Sequence, residues 1–420
     1  MPAASPLPRG PSVLTLYSAA DLLTAPGCPV CRYAGEASDR YLGWFALAAH
    51  AEAGTITRLC AALGMCAWHT RGLMGQPGAA TRLTAVNRYV VAAARDRLAG
   101  RAGPLAACPA CEHDGSAADR ALDTLLEGLA DAAVRDRCRE LGGLCVPHLR
   151  AATARGQRRA VTWLAGTMAA TLSARPPDLE WLAGGTDHDA QVRAVLRQAI
   201  PARAVPGSYV CTACLAGAHS ERDRLAKLPG LAGGDSGPDP ALLLCAGHLA
   251  DAAVAAGHGS GVRALLAWQA GCYAASLSRP SAARAGRSAG NPAAWLRKAR
   301  RRPRRPADCT VCQARSHAVG RALDGFRENL RAAPQARDHR VTLCVRHLLS
   351  LRTVDPWAGQ MTALGAVEHA DKLITELTEA FRKNTWAHRA EVRGPEMTAW
   401  RRAAAFLDGS VFCGCPPYQV

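Results

Sequence analysis

Aromatic residues are scarce in this chain of 420 residues, at only 5% of the total, so Ala and Leu must supply most of the apolar surface that folding buries. Val and Ile, the residues that favour strands, are also few, whereas the Ala-rich segments favour helix. A chain of this length can bury a sizeable core and form roughly two to four domains. The sequence therefore predicts an all-α protein.

Long apolar runs are also lacking. No stretch approaches the roughly eighteen apolar residues that a membrane-spanning helix needs. The Pro-rich start from Met1 to Ser12 has neither the charged start nor the apolar stretch of a signal peptide. We therefore expect a cytoplasmic protein with no membrane span. In that reducing compartment, 17 Cys indicate metal ligation or redox chemistry rather than a disulfide framework.

Acidic residues are outnumbered, with 34 Asp and Glu against 51 Lys and Arg, and the formal charge is +17. The segment from Arg279 to Arg305 holds ten of the basic residues and no acidic one, so the rest of the chain carries +7 (17 − 10). Its densest part can bind phosphate backbones or anionic lipid heads, and the alternative is a solvated linker. The candidate anion-binding residues are Arg297, Lys298, Arg300, Arg301, Arg302, Arg304 and Arg305. Trp295 is the one aromatic residue beside them, which gives base stacking little support.

The chain contains four copies of one ligand pattern, in which C-x2-C is followed by C-x2-H after 34, 33, 30 and 31 residues. The four sets are Cys28, Cys31, Cys66 and His69; Cys108, Cys111, Cys145 and His148; Cys211, Cys214, Cys245 and His248; and Cys309, Cys312, Cys344 and His347. A Cys and a His three residues apart at the start of a helix lie on one face and can reach one ion. The pattern predicts that each set, in chain order, closes one site.

The repeat also predicts the domain organisation. Each module should contain a CxxC turn, a helix, a loop, a helix turn that carries the CxxH ligands, and a longer packing helix. The predicted modules are residues 20–100, 101–175, 205–279 and 307–410, the last with a C-terminal helix at 396–407. Residues 176–204 form a linker, and residues 280–306 form a basic linker whose composition predicts disorder.

Three thiolates and one imidazole make a complete tetrahedral shell for Zn²⁺, so we predict four structural zinc ions. A closed shell leaves no position for an activated water, and such sites supply folding energy. A Cys-Pro-x-Cys pair also resembles a redox dithiol, but that chemistry does not use the third Cys and the His. An iron–sulfur site is the other alternative. The sequence shows no P-loop, HExxH or GxSxG motif.

The remaining Cys and His residues have weaker claims. Three His lie shortly after a second CxxC cysteine, either as alternate ligands or support groups or as solvent-facing side chains: His113, His219 and His317. Three Cys outside the pattern are predicted to be small core residues: Cys60, Cys138 and Cys272. Cys413 and Cys415 are spare thiols or an incomplete fifth site.

The Cys-Pro-Val-Cys segment at 28–31 and the Gly-Met-Cys-Ala-Trp-His segment at 64–69 resemble the CPxC and GFCxxH motifs of an uncharacterised bacterial family of unknown function. The chain's ending is similar to the closing segment of that family, with Gly394-Pro395-Glu396, Trp400-Arg401-Arg402-Ala403 and Phe406-Leu407-Asp408-Gly409. The fourth module departs from it, with Cys-Thr-Val-Cys at 309–312 and Thr342-Leu343 before its third Cys. The resemblance implies these ligands and a cytoplasmic bacterial setting, and it implies no activity.

Three functions compete. Closed metal shells in a modular helical chain favour a non-catalytic scaffold for protein partners. The net charge of +17 and the zinc modules favour nucleic-acid binding as the alternative. An enzyme or thiol-redox role requires one ligand set to be open or labile, and the sequence gives it the least support.

Overall fold

A computed structural model describes residues 11–25, 27–101, 103–155, 158–174, 211–232, 248, 309–334 and 342–412. Helices and turns make up this part of the chain, which contains no strand, and the predicted all-α fold is confirmed. No helix within these ranges is both long enough and apolar enough to cross a bilayer. The linker 176–204, the basic linker 280–306, Cys272 and the C-terminal Cys413 and Cys415 lie outside the described residues.

The first two modules supply nine helices among the described residues. They are α1 (Val13–Leu22), α2 (Pro29–Leu47), α3 (Ala53–Ala62), α4 (Ala67–Met74), α5 (Ala79–Leu98), α6 (Pro109–Gly128), α7 (Ala132–Glu140), α8 (Val146–Ala154) and α9 (Arg158–Ala174). The later part of the chain supplies α10 (Thr212–Ala232), α11 (Thr310–Ala332), α12 (Val345–Val354), α13 (Pro356–Lys383) and α14 (Ala399–Leu407).

Local sequence explains where several helices begin. Proline is the first residue of α2 and α6, a position where its missing N–H costs no helical hydrogen bond. The side chain of Asp131 caps α7 by accepting hydrogen bonds from two backbone N–H groups. The side chain of Asp355 caps α13 by accepting one hydrogen bond, from the N–H of Ala358, and it also binds the guanidinium groups of Arg327 and Arg331.

The described chain divides into two compact units. Unit 1 consists of residues 1–36, 115–191 and 225–310, and unit 2 consists of residues 37–114, 192–224 and 311–420. The divisions fall inside α2, α6, α10 and α11, the four helices that follow the CxxC motifs. The boundaries of the units therefore do not coincide with the ends of helices.

The core of unit 1 forms around the second half of α6. Four leucines at helical spacing are buried there: Leu122, Leu125, Leu126 and Leu129. They pack with residues of α1, α7, α8 and α9, which include Leu22, Val134, Leu149 and Met168. Trp163 is half-buried against this cluster.

The core of unit 2 is built around the contact between α5 and α13. The α5 face buries Val86, Val90, Val91 and Ala94, and the α13 face buries Ala366, Ala370, Leu373 and Leu377. Alanine on both faces lets the two helix axes approach closely, which compensates for the shortage of aromatic side chains. The C-terminal helix α14 packs on both and buries Phe406.

Candidate metal centres

The Cys and His ligands gather into four clusters whose ligand atoms lie within 4.8 Å of one another. Site A contains Cys28, Cys31, Cys145 and His148; site B contains Cys66, His69, Cys108 and Cys111; site C contains Cys211, Cys214, Cys344 and His347; and site D contains His248, Cys309 and Cys312. The predicted ligands are thus brought together, and helices joined by Cys/His clusters are confirmed. The predicted pairing of half-sites in chain order is wrong.

Each CxxC motif meets the CxxH motif of the neighbouring module instead of its own. Modules 1 and 2 exchange half-sites to form sites A and B, and modules 3 and 4 exchange them to form sites C and D. The physical reason is the length of the CxxC helix. The 16 residues of α2 that follow Cys31 carry the chain roughly 24 Å away from it, and the short α3, with a length of roughly 15 Å, does not span that distance back.

Site A joins the start of α2 to the start of α8. The Nδ1 atom of His148 lies 3.5 Å from Sγ of Cys28, 3.3 Å from Sγ of Cys31 and 3.1 Å from Sγ of Cys145. The segment before Cys28 is fixed by the N–H of Gly27, which donates to the carbonyl of Leu141 at 3.4 Å. Gly27 has a φ of 97°, which favours glycine at this turn.

Site B joins the start of α4 to the start of α6. The Nδ1 atom of His69 lies 3.2, 3.6 and 3.5 Å from the Sγ atoms of Cys66, Cys108 and Cys111. The other ring nitrogen, Nε2, lies 2.7 Å from Oδ2 of Asp114. Both nitrogens of the buried imidazole are therefore engaged, one towards the thiols and one towards a carboxylate.

Site C joins the start of α10 to the start of α12. The Nδ1 atom of His347 lies 3.3, 3.4 and 3.3 Å from the Sγ atoms of Cys211, Cys214 and Cys344. The two segments are also joined by the backbone, because the N–H of Thr212 donates to the carbonyl of Thr342 at 3.0 Å.

Site D is described through three ligands. The Nδ1 atom of His248 lies 3.2 Å from Sγ of Cys309, and Cys312 belongs to the same cluster. Cys245, the fourth predicted ligand, lies outside the described residues.

Sites A, B and C share one local construction. Cys66, Cys145 and Cys344 each occupy the N-cap position of a helix with extended backbone, and the His ligand follows at the third helical residue. The side chains of N-cap and third helical residues point to the same side of the helix start. The C-x2-H spacing therefore aims one sulfur and one imidazole nitrogen at a common point.

The ligand geometry fits a tetrahedral metal ion. With Zn–S near 2.3 Å and Zn–N near 2.0 Å, a tetrahedral shell places sulfurs about 3.8 Å apart and sulfur and nitrogen about 3.5 Å apart. The measured Sγ–Sγ distances are 3.5 Å in site A, 3.7 Å in site B and 3.9 Å in site C. The described cysteines form no disulfide. Three sulfurs and one imidazole suit zinc or another thiophilic metal and do not suit Mg²⁺ or Ca²⁺.

The pKa values of the clustered side chains favour a protonated histidine next to a deprotonated cysteine. Burial lowers the pKa of His69, but hydrogen bonds to Asp114, Cys108 and Cys66 outweigh it and raise that pKa to about 12. In sites A and C, hydrogen bonds to thiols likewise outweigh burial and raise the pKa of His148 and of His347 to about 10.

One thiol in sites B and C has a lowered pKa. Hydrogen bonds from Cys111 and Cys66 lower the pKa of Cys108, and those from Cys211 and Cys214 lower the pKa of Cys344. A thiolate next to an imidazolium is thus the favoured protonation state in both clusters. A metal cation would replace the shared protons and take the place of the imidazolium charge.

The other Cys and His residues lie outside the four clusters where they are described. His113 stacks on the ring of Tyr41 at a centroid distance of 5.0 Å, and His219 and His317 are exposed. Cys138 is buried in the core of unit 1, and burial raises the pKa of its thiol to about 12. Cys60 is half-buried against the core of unit 2.

Asp114, the carboxylate next to His69, has no place in the ligand pattern of the sequence. Its signal was an acidic residue three positions after Cys111, one helical turn further along α6. An acidic residue at that position can be assigned a role only when Cys111 and His69 are known to share a site.

Comparison with protein-family models, with curated proteins and with solved structures finds no match for this chain. Fold and site together define an all-α protein with Cys/His clusters that could hold metal ions.

Proposed function

We propose that this chain is a zinc-binding helical protein in which four structural zinc ions hold exchanged half-sites together, and that it serves as a non-catalytic scaffold for a protein partner. The observation that carries the proposal is the closed Cys3His arrangement of sites A, B and C. Four protein ligands fill a tetrahedral shell, so the zinc would bind no substrate water and would act on stability. In site D, we propose Cys245 as the fourth ligand.

An exposed apolar stripe supports a protein partner. Four large apolar residues at the end of α12 and along α13 are exposed: Val354 (69%), Trp357 (42%), Met361 (37%) and Leu364 (74%). Within α13, the spacing of four and then three residues places Trp357, Met361 and Leu364 along one side of the helix, and residues 356–367 contain no charged residue. Contiguous exposed apolar surface marks protein interaction sites, whereas nucleic-acid phosphates require cationic side chains.

The zinc assignment is tested by counting metal ions and thiols on the purified chain. We expect four zinc ions per chain by native mass spectrometry, with all twelve ligand thiols protected from alkylation until a chelator is added. A chain that folds without a transition metal, or that carries iron–sulfur clusters, would overturn it.

The choice of partner is tested in two binding experiments. Affinity capture is run with the wild-type chain and with a Trp357→Ser, Leu364→Ser variant, and a partner lost only from the variant supports the stripe as the docking surface. Fluorescence anisotropy with labelled DNA and RNA at low salt tests the alternative. Tight binding that weakens steeply as salt rises would favour nucleic acid as the ligand of this basic chain.

Two broader expectations accompany the proposal. Reduced thiol ligands suit a reducing compartment, so we propose the cytoplasm as the location. Membership of the uncharacterised bacterial family that the motifs resemble stays a prediction.

A further inference from the structure

The carboxylate of Asp114 distinguishes site B from the other clusters. Its Oδ2 atom lies 2.7 Å from Nε2 of His69, and the two side chains are 26% and 3% exposed. The same position, three residues after the second CxxC cysteine, holds Ala34 in site A, Gly217 in site C and Arg315 in site D. An acid at this position is thus particular to one of the four sites.

The geometry gives this carboxylate a defined effect on the imidazole. When a metal cation replaces the proton that Nδ1 shares with the thiols, Nε2–H donates to Oδ2, so the neutral ring keeps its proton on Nε2 and the lone pair of Nδ1 faces the three sulfurs. A negative charge behind the ring also makes Nδ1 a stronger electron donor. Removing such a supporting carboxylate typically reduces metal affinity by about 10- to 100-fold.

Among the described residues, the Asp114 carboxylate forms a hydrogen bond with His69 alone. Its second oxygen, Oδ1, is buried and accepts no hydrogen bond from the described residues. On the preceding residue, His113 stacks against the ring of Tyr41, which fixes the first turns of α6 beside the site. The carboxylate is therefore held in place by the helix and directed at His69.

We propose that Asp114 is a positioning residue that orients His69 and sets the zinc affinity of site B. The inference rests on the proposed function, because it concerns the zinc ion of that site. Substitution of Asp114 is expected to turn site B into the weakest of the four sites.

The test compares Asp114→Asn and Asp114→Ala with a matched control, Glu127→Gln, which removes an exposed carboxylate from the same helix. Zinc-loaded proteins are titrated with a chelator while native mass spectrometry counts the ions and alkylation mapping identifies the released thiols. We expect both Asp114 variants to release one ion at about 10- to 100-fold higher free zinc than the wild-type chain requires. Cys66, Cys108 and Cys111 should be the first thiols to react.

Two further readouts separate positioning from folding. Histidine ¹⁵N NMR of the zinc-loaded wild-type chain should show His69 protonated at Nε2 and metal-bound at Nδ1, and Asp114→Glu should restore part of the lost affinity. Release curves of both Asp114 variants that match Glu127→Gln, or a released ion that comes from another site, would overturn the inference. A wild-type chain that binds no zinc would instead reject the proposed function.

Discussion

Sites A and B use the same four ligand types but close very different lengths of chain. Cys28 and His148 of site A are 120 residues apart, whereas Cys66 and Cys111 of site B are 45 residues apart. The entropic contribution to the free energy of closing the loop is about 0.9 kcal/mol larger for site A than for site B. Site B in turn has the carboxylate that site A lacks at the matching position. Equal ligand types thus occur in unequal surroundings, with the longer closed loop at site A and a carboxylate next to the imidazole at site B.

The largest effect is expected from removing the CxxC half of site A. A Cys28→Ser, Cys31→Ser variant should bind three zinc ions and lose more than about 4 kcal/mol of stability, because binding free energy at a structural zinc site is folding free energy. Urea unfolding and metal counting measure both quantities. Alkylation mapping should find that Cys145 becomes reactive while Cys66 stays protected. Cys60→Ser, outside every cluster, is the control. Newly exposed Cys66 together with protected Cys145 would contradict the exchange of half-sites.

A smaller effect is expected at site C from Gly409→Ala. A Cβ atom on Gly409 would collide with Cβ of Cys211 and would lie 3.1 Å from Sγ of Cys214. Overpacking of this kind costs about 1–3 kcal/mol. The variant should lose the site C ion first in a chelator titration and keep the ions of sites A and B.

The control for that substitution is Gly320→Ala. Gly320 lies within α11, and an added Cβ there meets no neighbouring atom. Alanine should therefore leave zinc release unchanged and raise helix stability slightly. Equal release curves for both glycine variants would show that the C-terminal segment does not support site C.

The smallest effect is a pH dependence in the core of unit 2. Burial, with Lys372 and Arg402 nearby, lowers the pKa of His369 to about 4, below the ordinary value of 6.5. Between these two values the unfolded chain binds a proton that the native chain does not, so stability falls as pH falls from 6.5 towards 4. In His369→Gln, the melting temperature should decline less over this range than in the wild-type chain. Parallel declines in both proteins would contradict this assignment.

The sequence was sufficient for the helical fold and for the Cys and His residues that gather into clusters. Leucine spacing in α6 and the C-x2-H spacing at the helix starts are local signals, and both describe the structure correctly. The pairing could not be predicted, because the four CxxC motifs carry the same donors and chain order does not say which CxxH each one meets. The role of Asp114 depends on that pairing, since its partner His69 precedes it by 45 residues.

The closing segment of the chain gives a similar lesson. In the sequence alone, Phe406-Leu407-Asp408-Gly409 is a family-like motif without a physical role. The structure supplies one, since Phe406 is buried in the core of unit 2 and Gly409 lies against the CxxC motif of site C, where a side chain would collide. Asp408 also binds Arg346, two residues after Cys344, at 3.1 Å. The spacing of residues along the chain could not predict that Gly409 lies against Cys211 and Cys214, because about 200 residues separate them.

The exchange of half-sites is tested most directly by replacing zinc with ¹¹³Cd and recording ¹H–¹¹³Cd correlations to cysteine β-protons. The account predicts that one cadmium ion couples to Cys28, Cys31 and Cys145, and another to Cys66, Cys108 and Cys111. A single ion coupled to Cys28, Cys31 and Cys66 would contradict it.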